Sequence, residues 1–597
     1  MLKELMYPFD SNFLLRKKKI IKKQLLQADG AKFIEKKIAI LCGSTVNEIQ
    51  DMLELFLLNQ GIRPIFYVSE YNKYWEDVIF DNQELKTFEP DIIYIHTSTR
   101  NIITWPNVRN TAEEVSVLLE ETYTHFSAIW DKIAEQYQSV IIQNNFEQPY
   151  YRLLGNKDVS DIHGKLNFVN NLNMKLYEYA QSHSNFFIHD INYIASCYGI
   201  KDWANPSYWY LYKYIMDLKA IPEFSFNLSN VIKSIYGKNK KAFVLDLDNT
   251  LWGGIIGDDG AENIEIGQET ARAELFSEFQ SYLKEHKDIG IMLNIDSKNY
   301  EEVALEGLNR PDSVLKPDDF LIIKANWDPK DRNLIEIAQE INIGQDSLVF
   351  VDDNPAERHI IAQIEGVAVP EVGEPETYID VLDRNGFFEV TNLSEDDLKK
   401  NSMYKANIER KKQQSSFTDY GEYLTSLEMR AEIAPFKEMY MSRISQLTNK
   451  SNQFNLTTKR CSVADVQSFV ENPNYITLYG RLEDKFGDNG VVAITFGHED
   501  EERLFHIDLW LMSCRVLKRD MEQAMMDELV RRCMERGIKE IRGYFFPTAK
   551  NKMVVNFYRD MGFEQISVDD EGNSEWKLSL EDGYDKKNRY IQVEVEE

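Results

Sequence analysis

The chain has 597 residues and a formal net charge of −30, from 98 acidic against 68 basic side chains. Its length predicts about three or four domains, and its charge excludes wholesale binding to nucleic acid or an anionic membrane, though not a local basic patch. Five scattered cysteines (Cys42, Cys197, Cys461, Cys514, Cys533) form no CxxC pair, which excludes a disulfide scaffold or structural zinc and suits a reducing cytosol. No apolar run reaches membrane-span length, and Met1-Leu-Lys-Glu-Leu lacks the features of a signal peptide, so a cytoplasmic protein is expected.

In chain order, residues 13 to 35 place Leu14, Leu15, Ile20, Ile21, Leu25 and Leu26 among lysines at helical spacing. This predicts a basic amphipathic helix packed on the following domain, with a membrane-surface helix as the alternative. Lys37 to Thr45, Ile65–Val68, Asp91 to Thr97 and Phe186–Ile191 read as strands alternating with helices, the pattern of a doubly wound α/β layer. The Gly43-Ser44 step after the first strand resembles the start of an SGNH-type hydrolase domain. That resemblance makes Ser44 a candidate nucleophile. The late Asp-x-x-His pair that would serve it is missing: His189 is followed by Asp190, and Asp202 leads into Trp-Ala-Asn-Pro. A serine without its base is a poor nucleophile, so a retained fold acting as a docking platform is expected. The aromatic stretch Asp202 to Tyr212 reads as interdomain packing or a substrate groove.

The central stretch Lys241-Ala-Phe-Val-Leu-Asp-Leu-Asp-Asn-Thr-Leu-Trp-Gly-Gly254 holds the main signal. An apolar strand ends in Asp246, and a second carboxylate follows at Asp248. Adjacent carboxylates at the open end of a parallel strand want a cation, and Mg²⁺ suits oxygen donors that must also meet a phosphate. Further apolar runs lead into Ser297-Lys298-Asn299 and into Asp352-Asp353, and Lys330 follows Asn326-Trp-Asp-Pro.

Strand-tip Asp-x-Asp, Ser, Lys and Asp-Asp in that order resemble the four motifs of the haloacid dehalogenase (HAD) superfamily. The resemblance implies that Asp246 attacks phosphorus and that Asp248, with a raised pKa, protonates the leaving group and then activates water. Ser297 and Lys330, with Lys298 and Asn299 beside them, would hold the phosphoryl group. Asp246, Asp248 (through its carbonyl), Asp352 and Asp353 would hold Mg²⁺. The gaps from Asp246 to Ser297 and from Ser297 to Lys330 are too short for a cap domain with its own core.

Asp246-Leu-Asp-Asn-Thr-Leu-Trp-Gly-Gly254, Ser297-Lys-Asn299, Asn326-Trp-Asp-Pro-Lys330, Phe350 to Arg358, Gln446 to Thr458 and Leu511 to Leu517 resemble FkbH-type proteins. These are the HAD subclass (IIIC) found with acyl-carrier-protein systems. The resemblance implies removal of phosphate from a 1,3-bisphosphoglycerate-like three-carbon acid and transfer of its acyl unit to a carrier phosphopantetheine. Glyceryl-transferring members resemble Cys-Ser-Lys-Asn at the second motif. Here Asp296 stands at that position, and a carboxylate cannot hold a thioester.

Farther on, Ser394 to about residue 415 reads as a capped, charged connecting helix. Strands follow near 475–479, 491–496, 504–510 and 538–545, with helices from Arg519 to Arg536 and Asn551 to Met561. Asn556-Phe-Tyr-Arg-Asp-Met-Gly-Phe563 resembles the closing motif of GNAT acyltransferases, which implies that Tyr558 protonates a CoA thiolate. Arg515, Lys518 and Arg519 would form a CoA or phosphopantetheine site, with Asp520 repelling the pyrophosphate. The expected fold is thus a multidomain α/β chain: an N-terminal helical segment (1–35), an SGNH-like domain (36–237), a capless HAD domain (238–392), a helical linker (393–427) and a GNAT-like α+β domain (428–597). The expected partners are a phosphorylated small molecule and an acyl carrier protein, with no nucleic acid. Two rival readings are a stand-alone phosphatase on a sugar or polysaccharide precursor and a non-catalytic scaffold.

Overall fold

The computed structural model describes residues 2–28, 33–137, 139–451, 453–548, 550–581 and 583–595. The expected helical stretch of residues 13 to 35 therefore runs partly outside the described residues, as do Asn452 and the side chain of Cys514. The chain divides into two compact units, Met1–Ile235 and Tyr236–Glu597. Among the described residues no helix is long and apolar enough to cross a membrane.

In the first unit the basic stretch forms the helix Ser11–Leu26, capped by Asp10 and burying Leu14, Ile21 and Leu25. Lys18 pairs with Glu48 and Asp51, and Lys22 with Glu54, so part of its basic face is spent on the helix Asn47–Asn59. Five parallel strands follow: β1 (Ile34–Cys42), β2 (Ile62–Val68), β3 (Ile92–His96), β4 (Val140–Asn144) and β5 (Phe186–His189), in the order β2-β1-β3-β4-β5. β3 and β4 are buried along their whole length, which is why they read as unbroken apolar runs rather than alternating ones. The strand order reverses at β1, so the loops after β1 and β3 flank the crevice where such sheets take ligands.

The second unit starts with a four-stranded parallel sheet: β6 (Ala242–Leu245), β7 (Met292–Ser297), β8 (Ile322–Ala325) and β9 (Leu348–Val351), ordered β8-β7-β6-β9. Between Asp246 and Ser297 lie a flap, the helix Ala271–Asp288 and β7; between Ser297 and Lys330 lie the helix Glu301–Leu308 and β8. Neither gap holds a cap. Gly254 turns the flap at φ +94°, a conformation that L side chains rarely adopt.

Ser394 and Asp397 form a capping box, and the helix Lys400–Gln414 leads on. The last sheet contains β10 (Arg430–Ala434), β11 (Phe454–Asn455), β12 (Tyr475–Asp484), β13 (Gly487–Glu499), β14 (Leu504–Met512), β15 (Glu540–Phe545), β16 (Glu564–Val568), β17 (Ser574–Ser579) and β18 (Gln592–Val595). Its order is β16-β17-β15-β14-β13-β12-β10-β18, antiparallel except for β14/β15 and β10/β18, and β11 pairs with β14. This is the GNAT-like arrangement expected, with the helix Met521–Glu535 packed against β12 and β13. The single helix expected from Asn551 to Met561 is instead two short turns, Lys552–Val554 and Phe557–Asp560. The Val555-Asn556 step between them is poor in helix formers, and Asn551 bonds the carbonyls of Asn455 and Phe546.

Candidate active site

The second unit's parallel sheet brings the motif residues together at its carboxyl edge. β6 runs buried to Leu245, and Asp246 follows it at 7% exposure. The Asp246 amide donates to the Val351 carbonyl at 3.0 Å, which sets the first residue beyond β6 beside the end of β9, where Asp352 is fully buried. Pro329 precedes Lys330, which opens the helix Lys330–Glu340. From that helix start the ammonium reaches Asp246 Oδ1 at 2.9 Å and Asp352 Oδ2 at 2.6 Å.

The charges do not balance. Oxygens of Asp246, Asp352 and Asp353 lie within 4.8 Å of one another, and Lys330 is the cation that bridges two of them. Burial, then the charge of Asp246, pushes the Asp352 carboxyl up to about 6 and raises Asp353 as well. Burial opposes the Lys330 charge, but Asp246 and Asp352 hold its ammonium above its ordinary value. Three crowded carboxylates against one ammonium make a hard oxygen donor set with charge to spare, and a divalent cation fits it. Asp352 Oδ1 accepts the Asn354 amide, Arg358 donates to the carbonyls of Asp352 and Asp353, and the Asp353 amide donates to Thr250 Oγ1. These contacts fix the loop that presents the pair.

Asp248 sits apart from the carboxylate cluster. Trp252 Nε1 and the Ile256 amide donate to its Oδ1, and Asn299 Nδ2 donates to its Oδ2. Its carboxylate is thereby held in one orientation by the flap and by the second motif. Asn299, expected at the phosphate, instead holds Asp248 and donates to Ser297 Oγ at 3.2 Å. Lys298, expected there too, pairs with Glu357 at 2.5 Å. Ser297 is buried at the end of β7, and its carbonyl accepts the Asn326 amide. Asp296 is buried, accepts from Asn333 Nδ2 at 3.0 Å, and is pushed up to about 8 by burial. Sequence reading gave no role to Asn333, Trp252 or Thr250. The spacing of Asn333, one turn after Lys330 on the same helix face, was the available signal. Tyr300 (68% exposed) and Trp327 (63% exposed), next in sequence to Asn299 and Asn326, pack edge-to-face at 5.8 Å.

The two terminal sites differ from this centre. Ser44 is 1% exposed, and among the described residues its hydroxyl has no hydrogen-bond partner. Gly43 lies so close to Asn101 that a Cβ there would fall 2.6 Å from the amide. The buried histidines His96 and His189 turn to Tyr94, each with Nδ1 at 3.2 Å from its hydroxyl, and burial lowers both to about 3. Ser44 therefore has no activating histidine bonded to it.

The expected CoA or phosphopantetheine residues are also spent elsewhere. Arg519 binds Asp484 at 3.2 Å and Asn407 at 2.8 Å, and Arg515 donates to the Asn489 carbonyl and Met403 Sδ. Burying two guanidiniums demands internal partners, and Asp484 and the helix Lys400–Gln414 supply them. Lys518 and Asp520 adopt left-handed conformations, and the Lys518 carbonyl accepts from the Tyr420 hydroxyl. Tyr558 is buried, its hydroxyl has no partner among the described residues, and burial raises its phenol far above the ordinary value. β14 and β15 pair only from Leu504/Glu540 to His506/Arg542 and then diverge. The chain itself fills that divergence. Phe454 and Asn455 pair with Met512 and Leu511, the Leu456 amide donates to the Trp510 carbonyl, and the Phe546 amide donates to the Leu456 carbonyl. Among the described residues, Phe454, Asn455 and Leu456 occupy the strand edges of that divergence.

A parallel sheet with an Asp-x-Asp at its central strand tip, a lysine on the next helix and an acidic pair on the neighbouring strand defines an HAD-type phosphatase domain. The family model described as the FkbH N-terminal domain matches residues 37–233. The N-terminal part of the protein BF1531 from Bacteroides fragilis, containing a phosphatase domain complexed with Mg, is 30% identical with a TM-score of 0.58; the match covers 63% of this chain and 99% of that one. The chain belongs to the FkbH family. The ribosomal-protein-S18-alanine N-acetyltransferase from Escherichia coli is 12% identical with a TM-score of 0.20, covering 27% of this chain and 99% of that one. A GNAT-family acetyltransferase from Streptococcus pneumoniae is 13% identical with a TM-score of 0.21, covering 25% and 99%. No curated protein matches the chain.

Proposed function

We propose that the chain is an Mg²⁺-dependent phosphatase of the FkbH type, acting on a phosphorylated three-carbon acid whose acyl unit is destined for an acyl carrier protein. The observation that carries this reading is the convergence of Asp246, Asp352 and Asp353 around Lys330. Asp246 takes the phosphoryl group, since its carboxylate stands at the tip of the central strand with Lys330 steadying its charge. Asp248, held by Trp252, Ile256 and Asn299, gives a proton to the leaving oxygen and later takes one from water. Ser297 and Lys330 hold phosphoryl oxygens. Mg²⁺, held by Asp246, Asp352, Asp353 and the Asp248 carbonyl, would offset the negative charge that builds up on the phosphoryl group.

A site with no inserted cap suits a phosphorylated group carried on a macromolecule or a small phosphate that another domain covers. Phosphate release at Asp246 and acyl transfer to the carrier are separate events. At Asp246 the P–O bond of the phosphomonoester breaks and water then returns inorganic phosphate, whereas the C–S bond on the carrier phosphopantetheine forms as the carbonyl C–O bond of the acyl phosphate breaks and that phosphate departs with the thiol proton. Asp296, fixed by Asn333, offers no thiol for an enzyme-bound acyl group. That position favours a second reading, a plain phosphatase on a sugar or polysaccharide precursor.

Incubation with 1,3-bisphosphoglycerate, with and without Mg²⁺ and a carrier protein, tests both. Mg²⁺-dependent phosphate with a glyceryl mass gained by the carrier supports the first reading. Phosphate alone supports the second. No phosphate from any of a panel of phosphomonoesters overturns both.

A further inference from the structure

Arg100 and Lys213 are unusual cations in a chain of net charge −30. Among the described residues neither forms an ion pair. Instead, both stand on one indole: the Arg100 guanidinium lies 4.8 Å from the Trp209 ring and the Lys213 ammonium 5.4 Å from it. Tyr150 flanks Arg100 from 6.0 Å. Trp209 and Tyr150 line a small cavity with Arg100, Asn205 and the buried Glu147. Glu147 feels the Arg100 charge but forms no ion pair with it; its two carboxylate oxygens accept from the amide and hydroxyl of Thr99, and burial raises its carboxyl above the ordinary value.

The backbone places this pair at a meaningful point. The Thr45 amide and hydroxyl donate to the carbonyls of Lys213 and Tyr212, so Lys213 is pinned to the loop after β1. Asn101, next to Arg100, donates to the Gly43 carbonyl and so ties the loop after β3 to the same turn. These are the two loops at the strand-order reversal of the first sheet, where open parallel sheets receive ligands. Ser44, between Gly43 and Thr45 in the same turn, has a buried hydroxyl without a partner among the described residues.

We infer that this crevice of the N-terminal sheet binds a small carboxylate or phosphate, taken by Arg100 and Lys213 across the face of Trp209. An aromatic face fixes each cation without consuming its N–H donors, which leaves the planar fork of Arg100 free for a bidentate anion. The site is separate from the Asp246 centre and does not depend on the reaction proposed there.

The test is calorimetric titration of the full chain with malonate, a carboxylate probe, and separately with inorganic phosphate. Binding of at least one probe is expected. It should weaken about tenfold or more in Arg100→Gln and less in Arg100→Lys, which keeps the charge but loses the fork. Lys213→Gln should weaken it as well. The carboxylate and phosphate arms distinguish the two anions, and a phosphate response insensitive to Arg100→Gln belongs to the Asp246 centre. If neither probe binds, or if Arg100→Gln and Lys213→Gln bind both as the wild type does, the inference is wrong. Arg100 is exposed, so its variants keep the fold, and an unchanged melting profile verifies this.

Discussion

At the carboxyl edge of β6–β9, oxygens of three carboxylates crowd within 4.8 Å of one another, and one ammonium bridges two of them. At the same edge of β1–β5 no such crowd of charge forms: a serine without a partner and two histidines that share a tyrosine hydroxyl are buried there, and the buried carboxylate of Glu147 is bonded to Thr99. Both sheets are parallel and both reverse strand order, so the architecture alone does not separate them. The difference lies in what each edge has been given to hold. Ionised groups are buried only where something compensates them, and the central edge keeps a surplus of negative charge that calls for a cation. The N-terminal edge keeps its cations outside, on an aromatic face.

Exchanging the nucleophiles should break this comparison most sharply. Asp246→Asn should lower Mg²⁺-dependent phosphate release by about four orders of magnitude or more, the scale seen when a covalent nucleophile is lost. Ser44→Ala should leave it unchanged. Equal losses in a phosphate-release assay would mean that the two edges do not divide the work as argued. Lys330→Met comes next. It strands Asp246 and Asp352 without their shared ammonium, and breaking a buried pair costs about 3–5 kcal/mol. Urea unfolding without divalent ion should show a lower midpoint for the second unit, partly restored by Mg²⁺.

The first unit should respond to acid instead. His96 and His189 take a proton near pH 6.5 when unfolded but only near 3 when folded. Between those values the unfolded chain binds more protons, so stability falls as pH drops through 6.5 and is flat above about 7.5. At pH 5.5 the loss is about 1.4 kcal/mol for each histidine. Calorimetric melting from pH 7.5 to 5.5 should lower the transition of the first unit, and His96→Gln with His189→Gln should flatten that dependence. An acid shift unchanged in the double variant would place the titration elsewhere.

How much of this was legible in the sequence varied with the kind of signal. The central centre was readable because each motif pairs an apolar strand with the charged residue at its tip, and parallel strand tips meet at one edge. What Asn299 and Lys298 bond to was not legible, because a phosphate motif and its supporting contacts share the same letters. Only the fold shows that Asn299 reaches Asp248 and that Lys298 is taken by Glu357. Arg515 and Arg519 misled for a related reason. A run of cations before a helix reads as an anion site until Asp484 is seen to claim Arg519, and the Asn489 carbonyl and Met403 Sδ to hold Arg515. The filled divergence of β14 and β15 could not be read at all, since nothing in Phe454-Asn-Leu456 announces which strand edge it will satisfy.

The mildest effect should come from the rim of the central site. Tyr300 and Trp327 are large, exposed and adjacent in sequence to residues that build the centre, and no cap is inserted between the motifs. Exposed aromatics at an open mouth have faces free to meet the part of the substrate that is not phosphate, and a contact of this kind is worth about 0.5–1.5 kcal/mol. Trp327→Ala and Tyr300→Ala should therefore raise KM by about two- to tenfold with kcat nearly unchanged, because the contact is made equally in the ground and transition states. The effect should differ between p-nitrophenyl phosphate and 1,3-bisphosphoglycerate, because the two present different groups beyond the phosphate. A fall in kcat with KM constant would show instead that the pair shapes the loops of Asn299 and Asn326, and thus the presentation of Asp248 and Lys330.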